Sequence, residues 1–181
     1  LPKLVKAGER VAICDQLEDP KQTKKIVRRG VTELVTPGVS LNDEVLQSKT
    51  NNFLCAVHFG KKGYGVGFLD VSTGEFLTAQ GSEEYVDKLL QNFNPSEVLI
   101  PKKFKKQFTE NFGEDFHTFY LEDWVFQPDY ANETLNNHFQ TNSLKGFGIT
   151  NMHLAIVAAG AVLHYISSAE HHNTSHVSSI Q

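Results

Sequence analysis

Three strand-like runs joined by very short turns constrain the fold of this chain most strongly. The runs are FLCAVHF (53–59), GVGFLDV (65–71) and EFLTAQ (75–80), and each is apolar for most of its length. The connecting sequences, GKKGY and STG, are too short to carry the chain back across a sheet. Because such turns join only antiparallel neighbours, the pattern predicts a meander of three antiparallel strands.

Helix and strand patterns alternate after the meander. Residues 82–93 place apolar side chains at helical spacing, with Ser82 as the expected N-cap. The next segments predict, in order, a short strand, a basic helix, a strand and a helix: 97–100, 102–112, 116–121 and 131–139. This order predicts an α/β fold with a mixed sheet of ribonuclease H-like order, in which βαβ crossovers follow the antiparallel meander.

The first part of the chain predicts only a partial α/β piece. Residues 1–7 are typical of the end of a helix that Gly8 terminates, and residues 10–14 and 30–35 are typical of strands. A helix stump and two strands bury too little surface to be stable alone. We therefore expect the missing partners of this piece to lie upstream of residue 1.

The last part predicts a long helix, residues 151–169, that is apolar around its whole girth. A helix of this kind needs partners that the chain hardly supplies. The tail 171–181 is expected to be polar and unattached, as in a truncated segment.

Charge is distributed unevenly along the chain. Residues 1–30 contain eight Lys/Arg and four acidic residues, whereas the remainder contains nine and seventeen. A basic segment of this kind either contacts nucleic-acid phosphates, without sequence preference, or keeps an exposed loop in solution. The candidates for phosphate contact are Lys21, Lys24, Lys25, Arg28 and Arg29.

The cysteines and the hydropathy pattern indicate the compartment. Cys14 and Cys55 lie in apolar, strand-like runs, which predicts two buried free thiols and a reducing environment. No apolar run is long enough to cross a bilayer, and residues 1–10 lack the apolar stretch of a signal peptide. The sequence therefore predicts a cytoplasmic protein with no membrane contact.

Asp70 raises an alternative, catalytic interpretation. It ends a central strand and Glu75 begins the next, as metal-binding carboxylates do in ribonuclease H-like nucleases, which need three or four converging carboxylates. Glu97 and Asp115 begin their strands and are expected at the opposite edge of the sheet. The favoured interpretation is that Asp70 and Ser72 cap the turn.

Two other features have simple structural interpretations. Gly65 and Gly67 match no phosphate-binding loop and predict close packing of another element against the sheet. A histidine-rich tail could ligate a metal, but its polar neighbours favour an ordinary polar segment; its members are His171, His172 and His176.

Five segments carry a resemblance to a known family. KLVKAGERVAICDQLEDP (3–20) and VRRGVTELVTPGV (27–39) are specific, and three later segments add weight by their spacing: FLDVSTGEF, NPSEVLIP and LKGFGI. Together they make essentially the whole chain resemble the MutS family of bacterial DNA mismatch-repair proteins. The resemblance implies that residues 1–37 end the mismatch-recognition domain, 38–50 form a linker, 51–150 form a connector domain without nuclease activity, and 151–181 begin the core or lever region. Because it would belong to that next region, the long helix 151–169 is expected to pack outside the core of the sheet domain. Its exposed apolar face would then favour a dimer of the excised piece.

The resemblance also implies partners. The family's mismatch-reading motif and its ATPase fall outside the matched segments, so neither catalysis nor a cofactor is expected of these residues, and no metal site. ATP and magnesium would belong to the full-length parent, a homodimer that binds mismatched double-stranded DNA. The connector would help to dock the MutL protein, and the candidate docking face is on the predicted helix 131–139. Leu135 and Phe139 are expected to anchor this helix to the sheet. The alternative is that it is an ordinary solvated helix with no partner. The docking candidates are Asn132, Glu133, Asn136 and Asn137.

Overall fold

A helix and an antiparallel strand pair open the chain. The computed structural model describes residues 1–19, 21, 26–39, 51–169 and 174–181. Helix α1 spans Pro2–Lys6, and strands β1 and β2 span Val11–Gln16 and Arg29–Val35. Val11 pairs with Val35 at one end of the ribbon and Gln16 with Arg29 at the other. The helix and the two strands predicted for this segment are confirmed.

A mixed five-stranded sheet forms the centre of the molecule. Its strands are β3 Phe53–Gly60, β4 Gly63–Asp70, β5 Phe76–Gly81, β6 Glu97–Pro101 and β7 Thr118–Leu121. They occur in the order β5-β4-β3-β6-β7. Strand β4 is antiparallel to both β3 and β5, whereas β6 and β7 run parallel to β3, because each of these two is reached through a helical crossover. This confirms the α/β class, the antiparallel meander and the mixed sheet.

Four helices accompany the sheet in the part of the chain that the structure describes. They are α2 Glu83–Phe93, α3 Lys105–Phe112, α4 Pro128–His138 and α5 His153–Ser168. The predicted N-cap of α2 is confirmed, since the hydroxyl of Ser82 accepts a hydrogen bond from the backbone N–H of Tyr85 at 3.3 Å. The described residues also form three short 3-10 helices, and the last two were not expected because single turns leave no periodic pattern. They span Lys102–Phe104, Asp123–Phe126 and Leu144–Phe147.

Helices α2 and α3 cover one face of the sheet. Successive strand residues point to opposite faces, and on β3 it is Phe53, Cys55 and Val57 that point towards these helices. Phe68 of β4 packs among them, with its ring centroid 4.7 Å from that of Phe93 on α2. Aromatic rings fill most of this layer, which accounts for the high phenylalanine content.

Helix α5 covers the other face, so the prediction that it packs outside the core is wrong. Eleven of its sixteen residues are buried. It lies between the sheet and α4: an added Cβ at Gly67 of β4 would lie 3.1 Å from Ala159, and one at Gly160 would lie 2.6 Å from Ala131 of α4. A helix that is apolar on all sides is stable when neighbours enclose it, and here the neighbours belong to the same chain. The exposed face postulated to drive dimerisation is therefore absent from α5.

The C-terminal tail also packs against the sheet, which corrects the expectation of an unattached segment. Val177 and Ile180 are buried. The carbonyl of Gln181 accepts the Thr78 hydroxyl at 2.9 Å, and its N–H donates to the carbonyl of Phe76 at 3.0 Å. These bonds occupy part of the outer edge of β5, which would otherwise present unpaired backbone groups.

The cysteine prediction is half right. Cys55 is a buried free thiol, and burial raises its pKa well above the usual range. Cys14 is also free but exposed, because it lies on the open side of the two-stranded ribbon. No helix within the described ranges is long and apolar enough to cross a membrane.

Candidate functional site

A buried junction joins the segment after β2 to the sheet. Residues 35–39 are all buried. Their main partner is Glu97, at the start of β6, which is 3% exposed. One carboxylate oxygen, Oε2, accepts hydrogen bonds from the Thr36 hydroxyl at 2.6 Å and from the Gly38 backbone N–H at 3.2 Å. A carboxylate satisfied in this way can be buried without a large desolvation cost.

The other oxygen of Glu97 contacts α5. Oε1 accepts a hydrogen bond from the Tyr165 hydroxyl at 2.7 Å. Burial, together with the negative charge of Glu97, raises the pKa of Tyr165 far above its usual range, so the phenol remains a donor. The Arg10 guanidinium lies 5.3 Å from the Tyr165 ring centroid and 3.6 Å from that of Phe119 on β7. The first 39 residues therefore contact β6, β7 and α5 through charged and aromatic groups.

A second group of hydrogen bonds extends the junction along the same edge of the sheet. The Asn52 side chain donates to the carbonyl of Pro37 at 3.0 Å and accepts from the Ser96 hydroxyl. Its backbone N–H donates to Asp70 at 3.2 Å. The strand starts and the Thr-Pro-Gly turn thus form one connected polar network, of the kind that fixes a single arrangement when all its members are paired.

Asp70 caps the turn after β4. Its Oδ1 accepts from the N–H and hydroxyl of Ser72, at 2.9 and 2.6 Å, and from the N–H of Thr73 at 3.3 Å. The acceptor positions that a metal ion would need are already used by the protein. Among the residues with described positions, no three His, Cys, Asp or Glu side chains form a group that could hold a metal. The favoured turn-capping interpretation agrees with this geometry, and nothing supports the nuclease alternative.

One step of the sequence argument about Asp70 was wrong. Glu97 was expected at the opposite edge of the sheet, but Asp70 pairs with Phe53, and Leu54 pairs with Glu97. Since β4 is antiparallel to β3 and β6 is parallel to it, the end of β4 and the start of β6 share an edge. Their carboxylates nevertheless serve separate purposes, one in the turn and one in the junction.

Three of the five basic candidates are described, and they lie at the open end of the strand pair. Lys21, Arg28 and Arg29 are exposed. Arg28 is 4.0 Å from Glu18, a contact weak enough to be replaced by a phosphate. Lys24 and Lys25 fall outside the described residues. The described members therefore have the exposure that a phosphate contact requires.

The docking candidates do not form one uniform face. Asn132 and Asn136 line a depression near the start of α5, whereas Glu133 and Asn137 line another beside the end of α5. Leu135 anchors α4, but it joins the cluster around α5, so the expected anchoring to the sheet is wrong. Phe139 packs on Phe147, with ring centroids 4.7 Å apart.

The tail histidines give no support to a metal site. His176 has its Nε2 2.6 Å from the carbonyl oxygen of Val71, in the turn that Asp70 caps. His171 and His172 lie outside the described residues. The one described member of the group therefore serves to attach the tail.

Sequence reasoning missed the junction. The available signals were a carboxylate at the start of the buried run EVLI and a Thr-Pro-Gly turn with an apolar residue on each side. A lone acidic residue in a buried strand predicts a buried partner, but pattern alone does not identify Thr36 or Tyr165.

Comparison with known proteins agrees with the order of these elements. The family model for MutS domain II matches residues 52–178, and that for MutS domain I matches residues 1–44. The chain is 70% identical over 180 residues to the DNA mismatch repair protein MutS of Christiangramia forsetii, covering 99% of this chain and 21% of the relative. The corresponding proteins of Flavobacterium johnsoniae and Parabacteroides distasonis are 70% and 57% identical, covering 100% and 99% of this chain and 21% of each relative. The chain thus spans about a fifth of the length of these curated relatives.

Proposed function

Because the chain belongs to the MutS family of DNA mismatch repair proteins, we propose that it is the module that connects a DNA-contacting strand pair to an α/β domain on which a partner protein docks. The observation that carries this proposal is the buried junction, in which Glu97 holds the segment after β2 against the sheet. A junction of buried hydrogen bonds transmits a displacement of one part to the other more faithfully than a flexible linker does.

The parts of the module are assigned on the same proposal. Residues 1–37 would end a mismatch-recognition domain, 38–50 would link it, and the connector would begin at residue 51. We extend the connector beyond residue 150 to include α5 and the described tail 174–181, because α5 fills the second face of the sheet and the tail bonds to β5. The core or lever region would then begin later than residue 151. The strand order, with three antiparallel strands and then two parallel ones, supports a ribonuclease H-like fold for the connector.

Catalysis is assigned to other parts of the whole protein. ATP and magnesium would be its cofactors, a homodimer its assembly, the cytoplasm its location, and mismatched DNA and MutL its partners. The carboxylates of this chain support that division, since both oxygens of Asp70 and of Glu97 already accept hydrogen bonds from protein donors. The module would supply position and coupling rather than chemistry.

We expect the chain to bind duplex DNA weakly through the exposed basic end of the strand pair. Replacing Lys21, Arg28 and Arg29 with glutamate should abolish detectable binding at physiological salt, because phosphate contacts supply nearly all non-specific affinity. At low salt, the slope of log K against log salt should fall by about 3. The measurement is fluorescence anisotropy on labelled duplexes with and without a mismatch.

The matched control for this test is Lys61, Lys62 and Lys145 changed to glutamate, which alters the net charge equally at exposed positions away from the strand pair. Binding should survive in that variant. Equal loss in both variants would show that only net charge matters. Tight, salt-insensitive or mismatch-selective binding by the chain would contradict the proposal.

Partner docking is tested in a chimera, since the chain covers about a fifth of its relatives. This chain replaces the matching segment of the Christiangramia forsetii protein, and the chimera then carries Glu133→Lys with Asn136→Ala. Recruitment of MutL in a pull-down should weaken several-fold, while mismatch binding is retained. The Asn136 oxygen is buried without a partner among the described atoms, so its removal should not disturb folding.

The control pair is Glu84→Lys with Asn92→Ala on α2, which makes the same chemical changes at exposed positions on the opposite side of the sheet. That pair should leave recruitment unchanged. Undiminished recruitment in the α4 pair would place the docking face elsewhere on the connector.

A further inference from the structure

We propose that Glu97 is a positioning residue that locks the first 39 residues in one orientation on the sheet domain. The inference goes beyond the proposed function and does not rest on it, because it concerns two parts of this chain and needs neither DNA nor a partner. It predicts that one carboxylate, rather than the total contact area, determines whether the strand pair is held or free.

Hydrogen-bonding capacity is the first argument. Glu97 receives three donors on two oxygens: Thr36 and Gly38 on Oε2, and Tyr165 on Oε1. Only an ionised carboxylate is an acceptor at both ends. A glutamine amide must turn its NH₂ group either towards the Thr36 and Gly38 donors or towards the Tyr165 hydroxyl, which can also accept. Apolar substitution leaves all three buried donors without this acceptor.

Geometry is the second argument. The turn approaches Glu97 so closely that a Cβ added at Gly38 would lie 3.0 Å from the Glu97 Cβ and 2.8 Å from a methyl carbon of Leu54. This close approach brings the Gly38 N–H within 3.2 Å of the carboxylate oxygen. Val39 then enters the same core cluster as α5, with no exposed surface. The turn is therefore buried in the core of the sheet domain rather than lying on its surface.

The other contacts between residues 1–39 and the sheet domain are weaker than the hydrogen bonds to Glu97, or they involve groups that also have other partners. The Arg10 guanidinium stacks over Phe119, the Asn52 amide donates to Pro37, and the Leu34 N–H reaches the Ala169 carbonyl at 3.4 Å. The β1–β2 ribbon itself exposes many of its residues and contributes little burial. Removing the carboxylate therefore takes away the strongest polar attachment of residues 1–39.

The two hydroxyl groups that donate to Glu97 belong to different parts of the chain, so the effect of removing each one can be tested separately. Thr36 belongs to the part that is held, whereas Tyr165 belongs to the sheet domain. Thr36→Val and Tyr165→Phe each remove one hydroxyl donor from the same carboxylate. If Glu97 positions the strand pair, only the first of these should loosen it, although both should lower stability.

The experiment measures a distance in the full chain by pulsed electron paramagnetic resonance. Cys14 is exposed and Cys55 is buried, so one spin label attaches to Cys14, and Lys88→Cys on α2 supplies a second, exposed position. The Lys88→Cys chain with no further substitution should give a narrow distribution of distances between the two labels. Glu97→Ala and Thr36→Val should broaden it, Glu97→Gln should broaden it less, and Tyr165→Phe should leave it narrow.

Amide exchange provides the second readout. The Gly38 and Val39 amides should exchange about tenfold faster in Thr36→Val and Glu97→Gln, while amides of β3 and β4 keep their protection. An unchanged distance distribution in Glu97→Gln and Thr36→Val would overturn the inference, as would equal broadening in Tyr165→Phe. If Glu97→Ala does not fold, these milder variants still decide the result, and uniform loss of protection across the chain would show a general stabilising role instead.

Discussion

Replacing Gly65 with alanine is expected to lower the free energy of unfolding by about 3 kcal/mol, the upper end for overpacking a core. Gly65 lies on β4, and the Cβ of an alanine there would overlap the backbone carbonyl of Leu154 at the start of α5. Backbone cannot move aside as a flexible side chain can, so α5 must shift on the sheet. Urea unfolding followed by far-ultraviolet circular dichroism measures the loss.

Two other glycines make the test quantitative. At Gly67 the added Cβ would lie 3.1 Å from Ala159, so a shift of a few tenths of an ångström relieves it and the loss should be smaller. At Gly146 no atom lies within 4 Å, and alanine should be nearly neutral. The expected order of destabilisation is Gly65, Gly67, Gly146. Equal effects at all three would mean that α5 does not pack this closely on the sheet.

These glycines show how much of the fold the sequence predicts. The meander, the crossover order and the helix cap at Ser82 can be read from local pattern, because turn length and periodicity are properties of short segments. Close packing at Gly65 and Gly67 was also predicted, since glycine in a strand marks a close approach. What pattern did not supply was the identity of the packing element. A helix apolar on all sides has no face to assign, and the resemblance assigned α5 to the next region of the protein, outside the core.

The junction was beyond sequence reasoning for a different reason. Thr36, Glu97 and Tyr165 are far apart in the chain, and three-dimensional proximity alone makes them partners. Asp70 and Glu97 were expected at opposite edges of the sheet. The pattern predicted the crossover to β6, but the direction of β6 was not compared with the direction of β4. The same limit applies to α4, because its anchoring partner, α5, is a separate helix later in the chain.

The second large effect is expected at Asp70. Changing it to alanine should cost about 3 kcal/mol, because three backbone N–H groups lose the acceptor that satisfies them in a site where Asp70 is 1% exposed. Those donors belong to Asn52, Ser72 and Thr73. Thermal unfolding followed by calorimetry measures the loss, with Asp115→Ala, an exposed carboxylate removed before β7, as the control that should change little.

Asp70→Asn separates a turn cap from a metal ligand. Its amide oxygen can keep the place of Oδ1, which accepts from Ser72 and Thr73, but its NH₂ group then faces the N–H of Asn52. A turn cap therefore predicts an intermediate loss of stability, which magnesium or manganese does not alter. A metal ligand predicts instead that divalent ions stabilise the unsubstituted chain and that this effect disappears in the variant. Metal-dependent cleavage of nucleic acid, abolished by Asp70→Asn, would reverse the assignment of this carboxylate, whereas unchanged stability in Asp70→Ala would remove the turn-capping argument itself.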